Sequence, residues 1–171
     1  MTSPAPTGTA VTREAAYLRI PGTDGMPALL KADGGPWDVV QAYWTPTRSG
    51  RLTRLYLIRG ELVESRFAAH RKLDTYSFVA KLYWPVGATS TGEGMWEAEQ
   101  LAFEGAIDLL LQRIRQTAFD HTHGSFLSVA EAPEPGLIHV HQTDPEASVN
   151  SKPAELIATV SYMADDRDFT G

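Results

Sequence analysis

The stretch DHTHGSF sets Asp120, His121 and His123 within four positions, and LIHVHQ repeats the one-residue gap with His139 and His141. These two segments hold four of the chain's five histidines. In a strand, an i, i+2 pair projects from one face. His139 and His141 therefore share a face with Leu137, and Ile138 and Val140 are assigned to the buried side. Such a pair chelates zinc or iron when further ligands converge on it, and Asp120, His121 and His123 are the nearest candidates in sequence. Nothing completes a known metal pattern: there is no His-Glu-x-x-His and no histidine pair at helical spacing. The other reading leaves His139 and His141 exposed or interfacial. His121 and His123 then sit in a turn closed by Gly124, whose backbone is unusually free, with Phe126 returning the chain to the core.

Other chemistries find less. GTDG and GATSTGEG lack the Lys-Ser/Thr pair that would reach phosphate and magnesium, and no Gly-x-Ser-x-Gly elbow is present. The absence of cysteine excludes disulfides, thiolate zinc sites and cysteine nucleophiles. Glu97 with Glu104, and Asp165 with Asp166, fit a solvated face or tail. The aromatic residues lie on apolar strand faces rather than among basic ones, so no nucleic-acid stacking surface is indicated. No catalytic, cofactor-binding or metal residue is assigned, and the chain is expected not to be an enzyme.

The elements that would position these residues read as one α+β domain. With 171 residues the chain suits a single globular unit. Residues 1 to 20 are read as a flexible arm, because MTSPAPTGTAVT offers little to bury, and residues 21 to 171 as the domain. MPALLKAD allows a short helix from Pro27 to a stop at Gly34. WDVVQAYW and RLTRLYLIR look like strands around a turn. In YSFVAKLYW, Tyr76, Phe78, Ala80, Leu82 and Trp84 fall on one face and Ser77, Val79, Lys81 and Tyr83 on the other. One long amphipathic helix runs from Met95 to Gln116, with Trp96, Phe103, Ile107, Leu110 and Ile114 on its core stripe. Leu101 and Leu109 lie off that stripe and suit a second packing partner. SFLSVAEA, LIHVHQ and ELIATVSYM supply further strands, the last two joined by the polar TDPEASVNSKP. The order predicts a mostly antiparallel sheet with the helix packed on one face. No apolar run approaches the ~20 residues of a membrane span, and no signal peptide is evident, so a soluble intracellular product is expected.

From about Thr75 onward the chain resembles a known family. YSFVAKLYWPVG, the helix WEAEQLAFEGAIDLLLQRI, FDHTHGSFLSV and the closing LIATVSYMADD are together similar to tail terminator proteins of long-tailed, siphovirus-type bacteriophages. The first 35 residues carry none of this likeness. The resemblance implies a structural virion protein, made in the host bacterial cytoplasm, whose copies form a ring, hexameric in the family. That ring would cap the tail tube, end its polymerisation and join the head connector. Its partners would be other copies of itself, the tail tube protein on one side and the head-closure protein on the other. Genomic DNA would pass through the lumen without sequence-specific binding, and neither cofactor, metal nor membrane is implied. Two other readings stay open: another head-to-tail connection protein (head closure or tail completion), or a metal-dependent enzyme using the histidines. A ligand-binding module is a third.

Charge suggests where such a ring would be joined. Residues 48 to 72 carry Arg48, Arg51, Arg54, Arg59, Arg66, Arg71 and Lys72 against only Glu61 and Glu64, and the chain ends with Asp165, Asp166 and Asp168. These are either complementary surfaces for assembly or two solvated faces. With Asp144, Glu146, Asn150 and Lys152 of the polar loop 143 to 153, these basic residues and Asp165 and Asp166 are the candidate assembly residues. Arginines lining a DNA channel would retard the phosphate backbone, so at least most of Arg51, Arg54 and Arg59 are expected to face a neighbouring subunit or ring. Neutralising all three should impair ring formation or tail joining, and normal assembly of that variant would refute the assignment.

Overall fold

The computed structural model describes residues 7–22, 25–46, 51–68, 71–86, 93–115, 126, 128–130, 138–149 and 154–169. Its elements are α1 (Thr7–Leu18), β1 (Val39–Ala42), β2 (Arg54–Ala68), β3 (Arg71–Pro85), α2 (Glu93–Arg115), β4 (Ser128–Val129), β5 (Ile138–Gln142), α3 (Pro145–Val149) and β6 (Glu155–Phe169). The sheet runs β1-β2-β3-β6, and β4 and β5 both pair with β6. β1 lies parallel to β2, and every other pairing is antiparallel. This is the α+β architecture that the order of elements predicts.

Alternation fixes the two faces. In β3, Tyr76, Phe78, Ala80 and Leu82 are buried, and in β6 so are Leu156, Ala158, Val160, Tyr162 and Ala164. Their register sets Phe78 beside Tyr162 and Ala80 beside Val160, so the two strands present one continuous apolar surface. α2 covers one part of it with Phe103, Ala106, Ile107, Leu110 and Ile114. There Trp37 meets Trp84 edge-on with centroids 5.6 Å apart, and Phe103 completes the cluster. A second aromatic group joins Tyr76, Phe78, Phe126 and Tyr162. Among the described residues, no helix is long and apolar enough to cross a membrane.

Two expectations for the first third of the chain are corrected. The flexible arm assigned to residues 1 to 20 contains α1, which buries Ala10, Val11, Ala15, Tyr17 and Leu18. Apolar positions at helical spacing begin only at Ala10, just past the Pro- and Thr-rich stretch, and the charged pair Arg13-Glu14 interrupts them. Residues 1 to 6 lie outside the described residues. The helix expected from Pro27 is a single 3-10 turn, Lys31–Asp33, although it does end at Gly34 in the left-handed region. Leu29 and Leu30 are instead tied to Trp37: the Trp37 N–H donates to Leu29 O at 2.9 Å, and Lys31 N–H to Trp37 O at 2.8 Å. Gly35 permits that fold-back, since a Cβ there would fall 2.3 Å from the Leu29 carbonyl.

The end of the chain also differs. Asp165 and Asp166 belong to β6 rather than to an acidic tail. Asp166 pairs with Arg13 at 2.7 Å, and Asp165 accepts the Thr75 hydroxyl at 2.7 Å. Those partners, supplied by α1 and β3, stabilise carboxylates in a strand that would otherwise disfavour them.

The helices are joined by fully buried Arg113. Its guanidinium donates to Tyr17 O at 2.9 Å, Ile20 O at 2.8 Å and Pro27 O at 3.1 Å, and stacks 4.8 Å from the Tyr17 ring centroid. Tyr17 returns a hydroxyl bond to Arg113 O at 3.0 Å. Carbonyls at the end of a helix lack the full set of helical donors, and Arg113 adds one to Tyr17 O, which also accepts the Ile20 N–H at 3.1 Å. Burial pulls its pKa below the ordinary value while Tyr17 and Glu14 oppose that shift. Glu14, equally buried, accepts the Tyr162 hydroxyl at 2.7 Å. Burial first, and then the Glu14 carboxylate, push that phenol well above its usual range. Arg113→Ala removes three buried charge-assisted hydrogen bonds from the junction of α1 and α2, so it should destabilise the chain by about 3 kcal/mol in urea unfolding. A loss below about 0.5 kcal/mol, the level of an ordinary surface change, would show that the guanidinium does not hold α1.

Candidate assembly surfaces

The histidine pair stands on β5, where His139 is in register with Ser161 and His141 with Thr159. Those partners alternate with the buried positions of β6, so both imidazoles face away from α1 and α2, and both are exposed. Val140, assigned to the buried side, is 42% exposed. Its face is the expected one, but β5 lies at the margin of the sheet, where only Ile138 reaches the core. Among the described residues, no group of three potential metal ligands converges. Asp120, His121 and His123 lie outside the described residues.

The charged residues sort into those used within the chain and those left outward. Arg54 is buried, forms an ion pair with Glu155 and stacks 4.8 Å from the Tyr83 centroid. It therefore serves the fold rather than a neighbour, and so does Asp166. The basic and acidic segments expected to meet between subunits run side by side in one chain, with Lys72 in register with Asp168 and Arg71 with Phe169. Arg51, Arg59 and Arg66 are exposed, so the assembly test falls to these three. In the polar loop, Asp144 accepts the Glu146 N–H at 3.0 Å and so caps α3, which begins at Pro145. That is the favoured start for a helix. Glu146 is exposed. Arg48, Asn150 and Lys152 lie outside the described residues.

Several large apolar side chains face outward. Leu101 on α2 is 70% exposed, whereas Leu109 is half-buried against the core and borders a cavity of about 410 Å³ with Met26 and Pro27. The second partner expected for both leucines is thus found within the chain for Leu109 only. A groove of about 400 Å³ runs beside Leu101, lined by Trp96, Glu97, Gln100 and Glu104. Where β1 leaves the sheet, Trp44 is 51% exposed, and Tyr43 takes a φ of 67°. Such a conformation costs about 1 kcal/mol or more for a residue with a side chain. It is held by the Tyr43 N–H to Leu57 O at 2.8 Å and by Gln41, which bonds Thr45 Oγ1 at 3.1 Å. The β1–β2 loop beyond it presents Arg51 and Leu52, both exposed.

The base of that loop is fixed by Asp38. Its Oδ2 accepts the Thr53 N–H at 2.9 Å and Lys31 Nζ at 3.0 Å, and lies 2.9 Å from the Thr53 hydroxyl. The Asp38 N–H donates back to Thr53 Oγ1 at 2.9 Å.

Sequence reasoning did not include the acidic face of α2 among the candidate assembly surfaces. The available signal was composition by segment: residues 39 to 60 hold four arginines and no carboxylate, and residues 91 to 112 hold five carboxylates and no base. No protein-family model matches this sequence, and no curated protein does either.

Burial raises the Asp38 pKa, but the bonds from Thr53 and Lys31 outweigh it, so the carboxyl titrates below its ordinary value. A carboxyl depressed in the folded state contributes stability above its unfolded pKa of about 3.9. That contribution is lost as pH falls through the lower folded value. Asp38→Asn should therefore be less stable than the parent at pH 7, with the difference shrinking as pH falls below about 4. Urea midpoints across that range measure it, and a constant difference would exclude the carboxylate as its source.

Proposed function

We propose that this chain is a structural subunit of a phage tail, a tail terminator whose copies close into a ring on the finished tube and offer the joint to the head. The observation that carries this reading is the pairing of two unlike outward surfaces on one subunit. One is the acidic outer face of α2 with exposed Leu101, and the other is the basic β1–β2 loop with exposed Leu52 and Trp44. A closed ring needs a heterologous contact, made by two different patches that each copy carries once.

The resemblance of the region from Thr75 onward supplies the specific assignment, and the α+β protomer with a single long helix is compatible with it. Arg54 is buried and paired with Glu155, which keeps it from acting as a free cation along a DNA channel. That arrangement suits a lumen through which DNA slides. The reading calls for no reacting group, and the buried Glu14, Tyr162 and Arg113 are accounted for by holding α1 to the sheet.

Adding the purified chain to polymerising tail tubes tests this directly. Tubes should stop elongating and become competent to join filled heads, and the protein should sit at one tube end. Tubes that elongate unchanged would contradict the proposal. So would stoichiometric zinc or iron in the purified protein that disappears in His139→Ala.

A further inference from the structure

We propose that Arg51 and Leu52, just before β2, dock from one copy into the groove on the outer face of α2 of the next copy. This inference rests on the ring reading above and deepens it by naming the two surfaces that meet.

The receiving surface has a definite chemistry. Glu97, Leu101, Glu104 and Asp108 follow one another at intervals of four, three and four residues, which aligns them along one side of a helix. All four are exposed, and Leu101, at 70%, is the most exposed of the large apolar side chains described. Its groove of about 400 Å³ is flanked by Glu97 and Glu104 and floored in part by Trp96. An apolar centre with a carboxylate rim accepts an apolar side chain flanked by a cation.

The β1–β2 loop offers that combination. Leu52 is 37% exposed and Arg51 precedes it. Arg54 is held by Glu155, so among the described residues between β1 and β2 the exposed cation is Arg51. None of Arg51, Glu97, Glu104 and Asp108 forms an ion pair with another described residue. The exposure of Leu101 means that the chain's own loop does not cover the groove. The bonds of Asp38 to Thr53 hold the loop base in place, so docking costs less ordering entropy than a free loop would. Leu52 then packs on Leu101 and Trp96, Arg51 lies between Glu97 and Glu104, and Trp44 extends the apolar contact. Because each copy carries one loop and one groove, the occupant is a second copy, and the contact repeats from copy to copy.

The chain has no cysteine, so Leu52→Cys with Leu101→Cys is a clean cross-linking pair at two exposed positions. Oxidised under conditions in which the parent chain assembles, the double variant should give a ladder of covalent oligomers beyond the dimer, and each single variant no more than a dimer. Arg51→Glu should weaken assembly by about fivefold, and adding Glu97→Arg and Glu104→Arg to the same chain should restore it. Assembly that proceeds without the ladder and ignores the charge reversal overturns this docking and leaves the ring reading intact. A ladder that stops at the dimer in the double variant also overturns it, since the contact would then be two-fold. A parent chain that assembles neither alone nor on tail tubes overturns both.

Discussion

The β3–β6 ladder is the constraint on which the rest of the molecule depends. It pairs the two strands without interruption from Arg71 with Phe169 to Pro85 with Glu155. Side chains alternate across a strand, so a slip of one residue would turn Phe78, Ala80 and Leu82 outward and bring Val79 and Lys81 inward. That penalty fixes the register, and the register fixes where everything else attaches. Tyr162 is set beneath Glu14 of α1, Trp84 beneath Phe103 of α2, and Glu155 beside Arg54 of β2. On the same ladder, Ser161 and Thr159 turn away from the helices and carry His139 and His141 with them.

Both helices draw on that one buried face, and Arg113 ties them together. A guanidinium without solvent is costly unless its donors are used, and here its two terminal nitrogens donate to three carbonyls, those of Tyr17, Ile20 and Pro27, while the buried Nε makes no hydrogen bond among the described residues. The result leaves Leu101 and the carboxylates on the outer side of α2 exposed, as are Arg51 and Leu52 before β2. Charges needed for the fold are paired inside it, as with Arg13 and Asp166 or Arg54 and Glu155. On the outer side of α2 the exposed Glu97, Glu104 and Asp108 are of one sign, which suits recognition between copies more than stability.

Much of this was legible wherever one periodicity ran without interruption. The alternation of YSFVAKLYW and ELIATVSYM gave β3 and β6 with their faces, and the apolar stripe from Phe103 to Ile114 gave α2. Reading failed where long-range partners decide. Glu14 and Arg113 look like surface residues in sequence, yet their partners Tyr162 and Tyr17 lie far along the chain. Arg54 looked free because Glu155 arrives from the last strand, and Asp165 and Asp166 looked like a tail because Thr75 and Arg13 are equally remote. The sequence pattern also assigned Val140 to the right face but could not show that β5 is marginal to the sheet. For the candidate site, Leu101 was legible as an outward residue from helical spacing alone. Its acidic surroundings were legible too, since residues 91 to 112 hold five carboxylates and no base.

The central claim is that two unlike surfaces of one subunit close a ring, and the most direct measurement of it is the symmetry of the assembled protein. Electron-microscopic class averages of the protein on tube ends should show a closed ring with a single rotational axis and one copy per repeat, α2 of each copy facing its neighbour. Averages showing a two-fold dimer, or isolated copies scattered along the tube wall, would contradict the account.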